Sequence, residues 1–323
     1  MNKSYQFKKL IFLFFLLILT FIVYIIYGFD LTSIASSEID RMILTKIRIP
    51  RGVLGVFVGG GLAMCGSVLQ GVFRNSLVEP YTLGISGGAA IGVAVALAFS
   101  LNNILGHISL ILCGFLGALT VLFFIYFIAM RDKKVDVKSV LLIGVMISFM
   151  ASAFLMLILS MSKKENLQGI VFWMMGSLGE TDNMLNLGVI SIVLSGFILF
   201  LLTANRLNAI QYGYEKSITL GIDVELIVKI AIVVSSLITA AAVSVSGVIG
   251  FVGLVVPHIL KKLIGRDFRF LIPASFLSGA IFLLLSDFVA SKIIYPNELP
   301  VGVVTGLLGG LFFIYIFKKE GKF

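Results

Sequence analysis

Charge is scarce in this chain, and that scarcity excludes an ordinary soluble fold. Only 13% of the 323 residues are Asp, Glu, Lys or Arg and 59% are apolar, whereas a soluble domain is about a quarter charged and about half apolar. Cysteine is scarcer still. Cys65 and Cys113 stand alone in apolar runs, without the paired spacing of a metal site or a disulfide framework, and read as small packing residues. Nucleotide and catalytic motifs are missing. No GxxxxGK followed by Ser or Thr occurs, and the glycine-rich stretch GISGGAAIG at 84–92 lacks the Lys-Ser/Thr pair of a phosphate cradle. No HExxH and no nucleophile with its base is found, which speaks against a membrane enzyme, and no filter sequence or charge ring of the kind a channel needs is present. No cofactor is expected.

What is present is long apolar stretches. A span needs about 20 mostly apolar residues, and runs of that kind fall near 10–27, 53–73, 81–100, 104–130, 135–161, 184–203, 225–245, 248–264, 270–290 and 300–317. The expected fold is all-α, a polytopic membrane protein of about ten transmembrane helices forming a single domain over 1–323. The first run, Leu10 to Tyr27, exceeds the 7 to 15 residues of a signal-peptide core and is expected to stay as a helix.

The 25 Lys and Arg residues set the orientation. With the N-terminus inside, 18 fall in cytoplasmic segments and seven outside, so both termini are assigned to the cytoplasm. Four of the seven outside cations, Arg41, Lys46, Arg48 and Arg51, lie close together and run against that bias. The net charge of +9 therefore reflects topology and membrane lipid, not a nucleic-acid partner, because the cations sit in short loops rather than on one soluble face. Glycines at four-residue spacing, Gly55 and Gly59, Gly84 with Gly88 and Gly92, and Gly302 with Gly306 and Gly310, are expected at helix crossings, where small residues let backbones approach in lipid.

An ion-coupled carrier keeps titrating or coordinating groups at membrane depth. Of 16 acids only Asp287 falls clearly within an expected span, near its outer end. The driving energy is then expected from ATP hydrolysed on another chain. An ion-coupled secondary transporter remains as the alternative, to be told apart by ion-dependent uptake without an ATPase.

Several ordered motifs carry a family resemblance from about Arg48 to Phe317. RIPR at 48–51 and GGGLAMCGSVLQGVFRNSLVEPYTLGISGGA at 59–89, with Gln70, Arg74, Asn75, Pro80 and Gly84, are followed by FWMMGSL at 172–178. Then come GFVGLVVPHILKKLIGRDFRFLIP at 250–273, with Pro257 and His258, and SDFVASKIIYPNELPVGVVTGLLGGLFF at 286–313, with Asp287, Glu298 and Pro300. Together they resemble the iron-siderophore and vitamin B12 permease family of bacterial ABC importers. Ser76 stands where that family usually has proline, Lys261 where arginine is common, and Ser291 at a position that is often arginine.

The resemblance implies a multi-pass permease in the bacterial cytoplasmic membrane that moves an iron(III)-siderophore or related metal chelate by ATP-driven alternating access. It also implies a second permease subunit in a homodimer or close heterodimer, two cytoplasmic ATPase subunits, and an external substrate-binding protein. Haem, cobalamin and an oxyanion stay open as cargo. By resemblance Arg48 and Arg51 pair with glutamates of the binding protein, though two such cations also suit a plain helix anchor. The loop NRLNAIQYGYEKSITLGIDV at 205–224 would seat Tyr212, Tyr214, Glu215, Ser217, Leu220 and Gly221 in a groove of the ATPase, the bland alternative being a solvated loop. Pro257 and His258 lie in a glycine-interrupted span that fits either a transport path or a structural kink.

Overall fold

Lipid offers the backbone no hydrogen-bond partners, so apolar runs must satisfy their own amides and carbonyls as helices. A computed structural model describes residues 3–27, 38–101, 106–130, 136–179, 183–294 and 297–319. The described residues form α1 (Lys3–Ile26), α2 (Glu38–Val72), α3 (Ile85–Ala98), α4 (His107–Ile125, continued by a wider turn to Met130), α5 (Val137–Met161), α6 (Lys164–Met174) and α7 (Asn183–Ile210). They continue as α8 (Tyr214–Thr219), α9 (Val224–Ser246), α10 (Val252–Leu263), α11 (Phe268–Ile293) and α12 (Val301–Lys319). Arg131, Lys133, Lys134 and Lys322, counted among the inside cations, lie outside the described residues.

Every expected span falls on a helix, but among the described residues only seven helices are long and apolar enough to cross a membrane unaided. The other three expected spans are shorter: α3 has 14 residues, α10 has 12, and the apolar part of α12 runs from Val301 to Ile316. The second span reaches further out than its apolar run suggests. Helix continues back to Glu38, which puts Arg41, Lys46, Arg48 and Arg51 on a helix instead of in a loop. The helix widens into a π-helical turn over Leu44–Arg48, two residues short of Pro50. Proline lacks an amide and its ring crowds the carbonyl four residues back, so the chain relaxes upstream of it.

α2 is the spine of the molecule. From Leu54 to Val72 most of its residues are buried, and it crosses neighbours where glycine stands on both sides. A Cβ on Gly59 would collide with the Gly279 carbonyl of α11, and one on Gly66 with the Gly253 carbonyl of α10. The pair α3 and α4 crosses in the same way, Gly88 against Gly117 and Gly92 against the Cys113 carbonyl. Within this chain no helix crosses at Gly306 and Gly310, where an added Cβ would meet nothing within 4 Å. That face of α12, with Leu307 and Leu311 beside it, is uncovered within this chain.

Side-chain bonds sort the connections into two ends. At one end Gln6 Nε2 donates to Ile264 O at 2.8 Å and the Lys9 ammonium donates to Leu263 O, so two residues of α1 satisfy carbonyls left over at the end of α10. Asp223 caps α9 and Asp267 caps α11 at this same end. Asp267 accepts from Arg269 and from Asn208 Nδ2, the latter at 2.8 Å, and Arg269 holds its carboxyl down at about 2. The end of α1 at Tyr24 to Tyr27 meets α2 and α11 at the opposite side.

Candidate functional site

Arg51 lies on the first helical turn after Pro50, and the helix aims its guanidinium at α11. Its Nε and Nη2 donate to the two oxygens of Asp287 at 2.9 and 2.8 Å, and its Nη1 donates to Glu298 Oε2 at 2.7 Å. The Tyr24 hydroxyl completes the cluster by donating to Asp287 Oδ2 at 2.6 Å. Asp287, only 1% exposed, is therefore a paired carboxylate held by a guanidinium fork. Arg48 turns the other way, and its Nη1 donates to Ile25 O at 3.0 Å and Tyr27 O at 2.5 Å, closing the end of α1. Both arginines thus have partners inside the chain. Glu298 is half-exposed and belongs equally to the cluster and to a neighbouring cavity.

That cavity, about 480 Å³, is lined by Phe172, Trp173, Ser177, Ser244, Ser246, Glu298 and Pro300 among others. One wall is the irregular segment between α9 and α10. Gly247 takes φ 65° with its Cα backed onto the Trp173 carbonyl, a place no side chain could occupy. Ser177 N donates to Ser246 O at 2.8 Å and so ties this segment to the loop after α6. From below, Tyr81 and Glu79 brace it: Ile249 N donates to the Tyr81 hydroxyl and Phe251 N to the Glu79 carboxylate, both at 3.2 Å. Glu79, Tyr81 and Tyr24 were not singled out from sequence as site residues. The signal for the first two was there, since a polar pair flanking Pro80 inside a greasy chain has to find partners.

Pro257 lies buried within α10 and cannot bond the Gly253 carbonyl. Gln70 does so in its place: its Nε2 donates to Gly253 O at 3.2 Å and to Leu254 O at 3.4 Å, and its Oε1 accepts from the Lys261 ammonium at 2.7 Å. His258 packs its ring edge-on to Phe312 and Phe313 of α12, with centroids 6.5 and 6.1 Å away. Around the α2–α3 turn, Arg74 sits at φ 50°, Asn75 Oδ1 accepts from Leu77 N at 2.9 Å, and Pro80 opens a short 3₁₀ turn that Gly84 ends at φ 80°.

The 205–224 loop divides into supports and outward side chains. Tyr214 is a support: its hydroxyl donates to Val72 O at 2.6 Å, its ring packs against the core, and burial pushes its phenol up to about 12. Ser217 is fully buried and its Oγ donates to Gly213 O at 2.7 Å. Gly221 turns the chain at φ 76°. Tyr212, Glu215, Ile218 and Leu220 face outward, with Tyr212 76% and Leu220 71% exposed. The residues expected to touch a partner are therefore of two kinds, and only the second presents side chains to one.

Known proteins share this architecture along nearly its whole length. The chain is 38% identical over 277 residues to the hemin transport system permease protein HmuU of Yersinia pestis, covering 85% of this chain and 83% of that protein. It is 36% identical over 283 residues to the cobalamin import system permease protein BtuC of Halobacterium salinarum, covering 88% and 75%. A solved structure described as an inward-facing conformation of a metal-chelate type ABC transporter superposes with a TM-score of 0.88 at 30% identity, covering 96% of this chain and 99% of that one. Since the model of the FecCD transport family also matches residues 9–319, the chain belongs to the FecCD transport family, as a multi-pass permease of the ABC importer class.

Proposed function

We propose that this permease carries an iron(III)-siderophore or a related metal chelate inward across the bacterial cytoplasmic membrane by alternating access, driven by ATP hydrolysed on separate subunits. The observation that carries the reading is the superposition over 96% of the chain on a transporter described as metal-chelate type. Haem and cobalamin remain the second reading, because the hemin and cobalamin permeases stand at nearly equal identity, 38% and 36%. The test is uptake into proteoliposomes holding the permease with its ATPase and binding protein, offered ferric hydroxamate and catecholate siderophores, haemin and cyanocobalamin in parallel. ATP-dependent accumulation of a ferric siderophore is the expected result, and accumulation of haemin or cobalamin alone would overturn the cargo assignment.

Assembly follows the same reading. A second permease subunit would cover the bare face of α12 at Gly306 and Gly310, since small residues beside exposed leucines suit close helix contact in lipid. At the outer end, Arg48, Arg51 and the exposed Glu298 lie together, and there we place the docking of a substrate-binding protein. Charge reversal in Arg48→Glu should weaken docking and flatten its salt dependence; equal affinities across a salt series would remove Arg48 from that surface.

In the proposed topology the single unit 1–323 crosses ten times with both termini cytoplasmic. Reporter fusions after Lys216 and Lys262 should read inside, and fusions near Lys163 and Asn297 outside. The grouping of these connections at two ends supports this, as does the placement of 18 of 25 cations on one side. Any of the four reading on the opposite side would break the arrangement.

A further inference from the structure

At the end of the molecule assigned to the cytoplasm, a second cavity of about 340 Å³ is lined by Gln70, Arg74, Ser76, Gln211, Lys261 and Arg266, with Gly71 and Phe268. Three cations from three separate segments line one space: Arg74 from the turn after α2, Lys261 from α10, and Arg266 from the link to α11. Among the described residues none of the three forms an ion pair. The nearest acid in sequence, Asp267, is already taken by Arg269 and Asn208. Lys261 is the most enclosed of the three, and among the described residues its ammonium has a neutral acceptor, Gln70 Oε1. Gln70 cannot turn away, because its amide nitrogen is committed to the Gly253 and Leu254 carbonyls.

We propose that this cavity binds a phosphate group, either free phosphate or the headgroup of an anionic phospholipid. Part of the cluster's tolerance of its own repulsion comes from the helix C-termini at this end, whose carbonyls favour cations, but that effect is weak at a surface and fades within one turn. A positive charge gathered into a concave site with no carboxylate among its described lining residues calls for an anion with several oxygens. Guanidinium forks and an ammonium suit phosphate, and basic pockets between helices on the cytoplasmic side suit anionic headgroups. The volume is at the small end of ligand sites and accommodates a phosphate with its ester arm. The inference depends on the orientation of the chain and not on which chelate is transported.

The experiment uses the full chain purified in detergent, in two arms. In the first, melting temperature is followed with inorganic phosphate against chloride at matched ionic strength. In the second, native mass spectrometry counts bound phosphatidylglycerol against phosphatidylcholine. Wild type should be stabilised by phosphate, retain phosphatidylglycerol preferentially, or do both. Arg74→Gln with Arg266→Gln, two exposed positions whose loss leaves the core intact, should weaken the responding arm at least about tenfold, and Lys261→Gln should abolish it. Response in the first arm alone identifies a free-phosphate site, and response in the second a lipid site. If neither arm depends on these cations, the proposal falls, as it does if their replacement instead only releases the ATPase subunits.

Discussion

Asp287→Ala is expected to destabilise the permease by about 3 to 5 kcal/mol, because it strands the Arg51 guanidinium beside a buried gap. Arg51 is 12% exposed at its side chain and Asp287 2%, so water cannot replace the lost carboxylate. The remaining partner, Glu298, engages a single guanidinium nitrogen at 2.7 Å. Removing both charges tells a different story. Arg51→Met with Asp287→Leu should recover most of the loss, since desolvation of a buried pair roughly cancels its attraction. Thermal unfolding in detergent, followed by circular dichroism, reads both variants. A double variant as unstable as Asp287→Ala would mean that the ion pair itself, and not the stranding of one charge, holds α2 against α11.

The second large effect concerns the 205–224 loop. Tyr212→Glu combined with Leu220→Glu should leave the melting temperature within about 1 °C of wild type while abolishing co-purification of the ATPase subunits and transport. Both side chains are more than two-thirds exposed, and surface changes away from structural features usually stay within about 0.5 kcal/mol. Tyr214→Glu is the instructive control. It removes the bond to Val72 O and buries a charge, so it should lower stability as well as coupling. Pull-down of the tagged ATPase from membranes decides the matter: retention by the double variant at wild-type level would move the coupling surface elsewhere.

Much of this architecture was legible because apolar length is a local property. All ten runs carry a helix, and the Asp caps at 136, 223 and 267 lie where the runs begin. Helix length at the ends was less legible. The stretch 38–48 carries charge and reads as loop, yet its backbone continues into α2 because Pro50 allows a widened turn instead of a break. The site was legible only as a set of residue types. Arg51 and Asp287 are 236 positions apart, and nothing along the chain says that one neutralises the other. That pairing gives the acid placed within a span a partner inside the chain. The evenly spaced glycines of α12 show the converse limit, since Gly306 and Gly310 meet nothing within this chain. Spacing reports what a helix face can accept, whereas the surrounding chain decides whether anything is there.

The bond from Gln70 to the Gly253 carbonyl has a mechanical consequence. A proline in a helix ordinarily makes a joint, free to bend because the carbonyl opposite it is unbound. Here the joint is splinted from outside by a side chain of α2, and the glycines Gly66 and Gly253 press the two backbones together at the same level. Bending α10 at Pro257 would leave a bare carbonyl in the dry interior, at a cost of about 1 to 3 kcal/mol. Rocking α10 together with α2 keeps this bond intact. The two helices are thus built to travel as one lever, with Lys261 at its inner tip and the irregular 247–251 segment at the other.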